Sequence, residues 1–105
     1  MRRGAASDAA RLEPGEGGRT RVLGVLNYDT VAVLLLAGSE GIAAGRTAVI
    51  DLAGVSASDS AGLALLIEWL SVARAAGHAL RYEKVPPQLL QLARLSEVED
   101  LLTAA

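Results

Sequence analysis

The sequence predicts a single layered α/β domain. Two observations carry that expectation: the apolar residues are almost all aliphatic, and short β-branched or alternating runs take turns with longer runs of helical spacing. Of 105 residues 51% are hydrophobic, yet there is no Phe, and only Trp69, Tyr28 and Tyr82 are aromatic. The core must therefore be built from Leu, Val, Ile and Ala, which favours layered packing. A chain of this length holds one core and is too short for two ordinary domains. The order of elements reads β-β-α-β-α-β-α, with no internal repeat.

Residues 1 to 8, with their small and polar run after Arg2-Arg3, read as a disordered tail, and residues 9 to 105 as the domain. Ala9 to Pro14 supplies a short edge strand, and Gly15-Glu16-Gly17-Gly18 turns it into a hairpin with the strand Thr20 to Leu26. Val22, Gly24 and Leu26 alternate there with Arg21, Leu23 and Val25, so both strand faces carry apolar residues. Asn27 and Asp29 are N-cap residues for a helix from Thr30 to Ala44, in which Val31, Leu34, Leu35 and Ile42 recur at near-helical spacing.

Gly45-Arg46 leads into Thr47-Ala48-Val49-Ile50-Asp51-Leu52, an apolar run of central-strand type that is expected to end near Val55. Ser56 to Ser60 has no periodicity and is rich in capping residues, so it reads as a loop feeding a helix N-terminus. In that helix Leu63, Leu66, Ile67, Leu70 and Ala73 form a core stripe, and Gly77-His78 ends it. Ala79 to Val85 alternates as a strand. Pro86-Pro87 stops the strand and opens a last helix carrying Leu89, Leu90, Leu92, Ala93 and Leu95, and Ser96 to Leu102 adds a further short helical turn.

A net charge of −2 and a sequence pI near 5.3 offer no clustered basic face for nucleic acid. With no cysteine, disulfides and thiolate metal sites are excluded, and the composition fits a reducing compartment, so a cytoplasmic location is the expectation. The longest apolar stretches, Val31 to Ala37 and Ala61 to Ile67, fall far short of the roughly 20 residues that span a bilayer. No membrane insertion is expected. Arg2-Arg3 is not followed by an apolar segment, which argues against a secretory signal.

Catalysis has little support in the residues. The one histidine, His78, stands at the far end of the helix that Ser60 begins, and at about 1.5 Å per residue the two lie more than about 20 Å apart. Asp51, Asp59 and Glu68 have strand, capping and surface roles instead of a metal-ligand pattern. Gly15, Gly17 and Gly18 are turn residues, since no Lys-Ser/Thr follows them. No cofactor and no metal is expected.

The segment Asp51-Leu52-x-x-Val55-x-x-x-Asp59-Ser60-Ala61-Gly62-Leu63 resembles the STAS domain shared by bacterial anti-sigma-factor antagonists, sulfate transporters and the MlaB subunit of a phospholipid-transport ATPase complex. The resemblance covers residues 9 to 102 and implies a STAS fold of the SpoIIAA type, a mixed sheet of about four strands with helices mainly on one face. In phosphorylated members of the family a D-S-S-G-L motif carries the switch residue on its first Ser. Ser60 matches that position, and Ala61 replaces the second Ser. Read without the family, a hydroxyl at a helix N-terminus lies near unpaired backbone N–H groups, and a phosphate beside Asp59 would repel a docked surface. Capping alone also accounts for Asp59 or Ser60, and the two roles can coexist.

Gly62-Leu63-Ala64-Leu65-Leu66-Ile67-Glu68-Trp69, together with Leu90-x-Leu92-Ala93-x-Leu95-Ser96-x-Val98, looks more like MlaB chains than like anti-sigma-factor antagonists. That resemblance implies a non-enzymatic adaptor. It would bind the ATPase (nucleotide-binding) subunit of an ABC transporter that maintains outer-membrane lipid asymmetry, peripheral to the inner membrane through this partner. The alternative is an anti-sigma-factor antagonist whose partner kinase phosphorylates Ser60.

In helical projection Leu65, Glu68 and Val72 fall opposite the core stripe, with Trp69 at its boundary, where they serve a partner surface or lie beneath another element. The expected contact set is Asp59, Ser60, Ala61, Gly62, Leu63, Leu65, Glu68 and Trp69. On this reading Ser60→Glu or Leu65→Asp abolishes partner binding while the isolated domain stays folded.

Overall fold

A computed structural model of the chain describes residues 10–103. The tail expected over residues 1 to 8 lies outside them. The elements are β1 (Arg11–Pro14), β2 (Arg19–Leu26), α1 (Val31–Ala43), β3 (Val49–Ser58), α2 (Ser60–Ala76), β4 (Arg81–Glu83), α3 (Pro87–Leu95) and α4 (Glu99–Thr103). They build a four-stranded mixed sheet in the order β1-β2-β3-β4, antiparallel between β1 and β2 and parallel elsewhere. Parallel neighbours need a crossover, and α1 and α2 supply the two.

The hairpin turn is closed by the Gly15 N–H donating to the Arg19 carbonyl at 2.8 Å. Gly17 and Gly18 both adopt positive φ there, a region glycine enters at little cost. Along the sheet the period-2 alternation divides two faces. Val22, Leu26, Ile50, Leu52 and Tyr82 join Leu34 and Ile42 of α1, Leu63, Leu66 and Trp69 of α2, and Leu89 and Leu102 of the C-terminal helices in one buried cluster. The opposite face is charged: Arg21 and Arg11 hold Glu13, and Arg19 and Arg81 hold Glu83. Glu13 and Glu83 are accordingly held below the usual glutamate range, by their hydrogen bonds to Arg11 and Arg19 respectively.

β3 runs to Ser58, three residues past the expected end near Val55, so Ser56, Ala57 and Ser58 belong to the sheet and not to a loop. The register explains why the alternation fades. Arg21 pairs with Asp51 but Leu23 with Gly54, and Gly24 pairs with Val55 but Val25 with Ala57, so β3 carries an extra residue at two bulges. At the first, the buried Asp51 carboxylate accepts a hydrogen bond from the Ala53 N–H at 2.9 Å. This bond satisfies a donor that the bulge removes from the ladder.

β4 is shorter than the alternation over Ala79–Val85 predicts. Lys84 adopts a φ of 57°, which turns the chain out of the sheet before Pro86-Pro87. Within β4 the buried Tyr82 hydroxyl donates to the Leu66 carbonyl at 2.6 Å, and burial pushes its pKa up.

α2 is buried on a wider arc than a single stripe. Leu65 is 3% and Trp69 0% exposed, whereas Ile67 and Leu70 are only half-buried. Of the two alternatives for Leu65, burial beneath another element is the one found, and Trp69, expected at the boundary of the stripe, lies fully inside the core. α2 packs on both the sheet and α1, so residues off its sheet-facing stripe are covered by the neighbouring helix. Gly38 of α1 makes room for the indole: a Cβ at that position would stand 2.7 Å from Trp69 Cζ2. Leu63 and Gly62 are buried as well.

Candidate partner-docking site

The end of β3 and the start of α2 form a braced corner. Asp59 is the N-cap in extended conformation, and its carboxylate accepts the Ala61 N–H at 2.8 Å. The Asp59 N–H donates to the Leu26 carbonyl at 3.1 Å, and the Gly62 N–H to the Asp59 carbonyl at 3.0 Å. These bonds tie the cap to β2 and consume N–H groups that a helix start leaves free.

Ser58, immediately before the cap, is buried. Its hydroxyl donates to the Asp59 carbonyl at 3.1 Å, and its N–H to Gln88 Oε1 of α3 at 3.2 Å. A Cβ at position 62 would stand 2.0 Å from Ser58 Oγ and 3.0 Å from Leu26 Cβ. Only glycine lets the first turn of α2 lie this close to β2 and β3.

Ser60 is the first residue of α2 and is exposed. Asp59, Ala64 and Glu68 are exposed with it, and Ala61 is half-buried. Of the expected contact set, Asp59, Ser60, Ala61 and Glu68 are brought together at the surface. Gly62, Leu63, Leu65 and Trp69 pack inward instead of standing exposed at the surface.

Facing this corner is the loop that enters α1. Asn27 Oδ1 accepts the N–H groups of Asp29 at 2.9 Å and Thr30 at 3.1 Å, and the Thr30 hydroxyl donates to the Val25 carbonyl at 2.8 Å. Asn27 thus organises the entry, while Thr30 stands at the N-cap position and Asp29 remains outside the helix. Tyr28 is left 86% exposed at the tip of the turn.

Between the two helix starts lies an open, mostly apolar groove of about 390 Å³. Tyr28, Val31, Ala32 and Leu35 line it from the α1 side, and Ser60, Ala61, Ala64, Leu65 and Glu68 from α2. Leu65, though nearly inaccessible, forms its floor. Tyr28 and the α1 wall were not anticipated from sequence. Their one local signal is an aromatic set between the capping residues Asn27 and Asp29.

Ser60 and His78 stand at opposite ends of α2, so the histidine is out of reach as a base for that hydroxyl. Among the described residues no group of His, Cys, Asp and Glu is arranged to hold a metal ion. No helix of the described residues is long and apolar enough to cross a membrane.

A family profile described as "Mlab, STAS domain" matches residues 10–103. The chain belongs to the STAS family. Among solved structures, this STAS domain is similar to the anti-sigma factor antagonist SpoIIAA in its unphosphorylated form. The identity is 18% and the TM-score 0.68, over 91% of this chain and 87% of that one. It is similar also to the Bacillus cell fate determinant SpoIIAA in its phosphorylated form, at 18% identity and a TM-score of 0.66, over 91% and 90% of the two chains. At this identity the likeness establishes the shared α/β fold of a STAS domain. No curated protein sequence matches the chain.

Proposed function

We propose that this STAS domain is a non-enzymatic adaptor that docks on the cytoplasmic ATPase subunit of a phospholipid-trafficking ABC transporter maintaining outer-membrane lipid asymmetry. The observation that carries the reading is the exposed Ser60 corner, braced from β2, β3 and α3 and set beside an apolar groove. A rigid polar contact next to a recess for an apolar anchor is the anatomy of a binding surface. The family description and the Gly62–Trp69 and Leu90–Val98 segments favour the transporter subunit among STAS functions. The protein acts by binding, from the cytoplasmic side and at the inner membrane through its partner.

Co-expression with the tagged ATPase subunit of a phospholipid-trafficking ABC transporter tests this. The wild type co-purifies, and Ser60→Arg, which places a long cationic side chain on the exposed corner, does not. Retention of Ser60→Arg removes the corner from the contact.

A second reading rests on the exposure of Ser60 and the likeness to SpoIIAA: an anti-sigma-factor antagonist switched by phosphorylation of Ser60. Incubation with the candidate kinase and ATP, read by intact mass, separates the two. A single phosphate gained by the wild type and not by Ser60→Ala favours the switch.

A further inference from the structure

We propose that the groove between α1 and α2 receives a basic amphipathic helix of the docking partner, an apolar side chain seated over Leu65 and flanking Arg or Lys facing Asp29, Asp59 and Glu68. The proposal rests on the reading of the Ser60 corner as a docking surface and adds the chemistry of what docks there.

Charge is the first ground. None of the residues lining the groove is Lys, Arg or His, and Glu68 stands at its edge. Asp29 and Asp59 adjoin the lining residues Tyr28 and Ser60 in the chain, and both are exposed. None of these three carboxylates makes an ion pair among the described residues. By contrast Glu13, Glu83 and Glu99 are each held by an arginine. The groove is thus an apolar recess with one carboxylate in its lining and two more beside it, none of them ion-paired, and a complementary surface supplies positive charge.

Shape is the second ground. The small side chains Ala32, Ala61 and Ala64 leave a trough between two helix starts, the setting in which a helix lays its apolar face into a groove. Tyr28, exposed at its mouth, is of the residue type that anchors interfaces and has few rotatable bonds to immobilise.

The same charges argue against other occupants. A second copy would bring the same three carboxylates against themselves. An anionic lipid surface would be repelled, and α1 holds no Lys or Arg of the kind interfacial helices carry on their polar face.

The test uses two synthetic helical peptides of roughly four turns, about 15 residues, with the same leucine stripe. One is flanked by arginine, the other by glutamate. Fluorescence anisotropy is expected to show the arginine peptide binding at least about 10-fold more tightly, weakening as salt is raised. In the labelled protein it shifts the backbone resonances of Tyr28, Ala32 and Ala64. Glu68→Lys and Tyr28→Ala, both with unchanged circular dichroism, each weaken it by about 10-fold.

No binding of the arginine peptide, equal binding of both peptides, or binding untouched by either variant overturns the proposal, as does capture of anionic vesicles in place of the peptide. The ATPase experiment fails separately. Peptide binding without ATPase capture supports the groove and sinks the choice of partner, whereas ATPase capture without peptide binding sinks the groove.

Discussion

Gly38→Ala is expected to destabilise this protein, although the same change in an exposed helix stabilises by about 1 kcal/mol. The new Cβ would meet Trp69 Cζ2, Cε2 and Nε1 at 2.7, 2.9 and 2.9 Å, where ordinary contact begins at 3.4 Å. The closest atom must retreat by 0.7 Å. The indole is fully buried, and its Nε1 makes a long 3.5 Å contact with the Leu35 carbonyl, so a retreat of the ring disturbs its core packing. Overpacking of this kind costs about 1–3 kcal/mol. Set against the propensity gain, the net loss is about 1 kcal/mol.

Urea denaturation followed by far-UV circular dichroism reads the loss as a lower midpoint at unchanged slope. For a domain of this size the melting temperature falls by about 4–8 °C per kcal/mol. Trp69→Leu removes the obstructing ring at a cavity cost of about 2–4 kcal/mol, and in that background Gly38→Ala turns neutral or stabilising. The reversal of sign is the diagnostic. If Gly38→Ala stabilises the wild type by the full helix-propensity increment, Trp69 is not packed against α1 and the account of α2 is wrong.

Three further outcomes are expected. Leu65→Asp buries a carboxylate at a 3% exposed site and costs more than about 3 kcal/mol, so loss of partner binding in it reflects unfolding; a native-like melting curve for this variant contradicts the burial. Asp59→Ala removes the acceptor for the Ala61 N–H and lowers stability by about 1 kcal/mol in urea titrations, with the fold retained. Tyr82 has its folded-state pKa raised by burial, so its contribution is complete below the ordinary tyrosine pKa of about 10 and is lost as pH rises through the folded value. Titration of stability from pH 8 upward shows a decline in the wild type that Tyr82→Phe lacks, and Tyr82→Phe costs about 1 kcal/mol at neutral pH.

Much of the fold was legible because local pattern and tertiary placement agree. Val49-Ile50-Asp51-Leu52, the heart of the expected strand from Thr47, is buried throughout, and Asp59-Ser60 before an apolar run is a helix start that the structure realises with Asp59 as the cap. The departures have physical causes. Two bulges in β3 break the alternation by which a strand is recognised, so its last residues read as loop. Helical projection of α2 finds the stripe facing the sheet but not the second surface covered by α1, and Leu65 and Trp69 lie there. α1 carries Glu40 as its one charged residue, so its sequence does not mark which side meets α2. Tyr28 and Leu35, the other wall of the site, were hidden for that reason.

The central claim is that the Ser60 corner and the groove beside it bind the ATPase of a lipid transporter. Affinity capture from a native cell lysate on the immobilised wild-type protein, with mass-spectrometric identification of what is retained, tests it most directly. The account predicts the nucleotide-binding subunit of an ABC transporter, retained by the wild type and lost with Ser60→Arg. Retention of a serine kinase in its place, lost in the same variant, contradicts the transporter assignment and installs the phosphorylation switch.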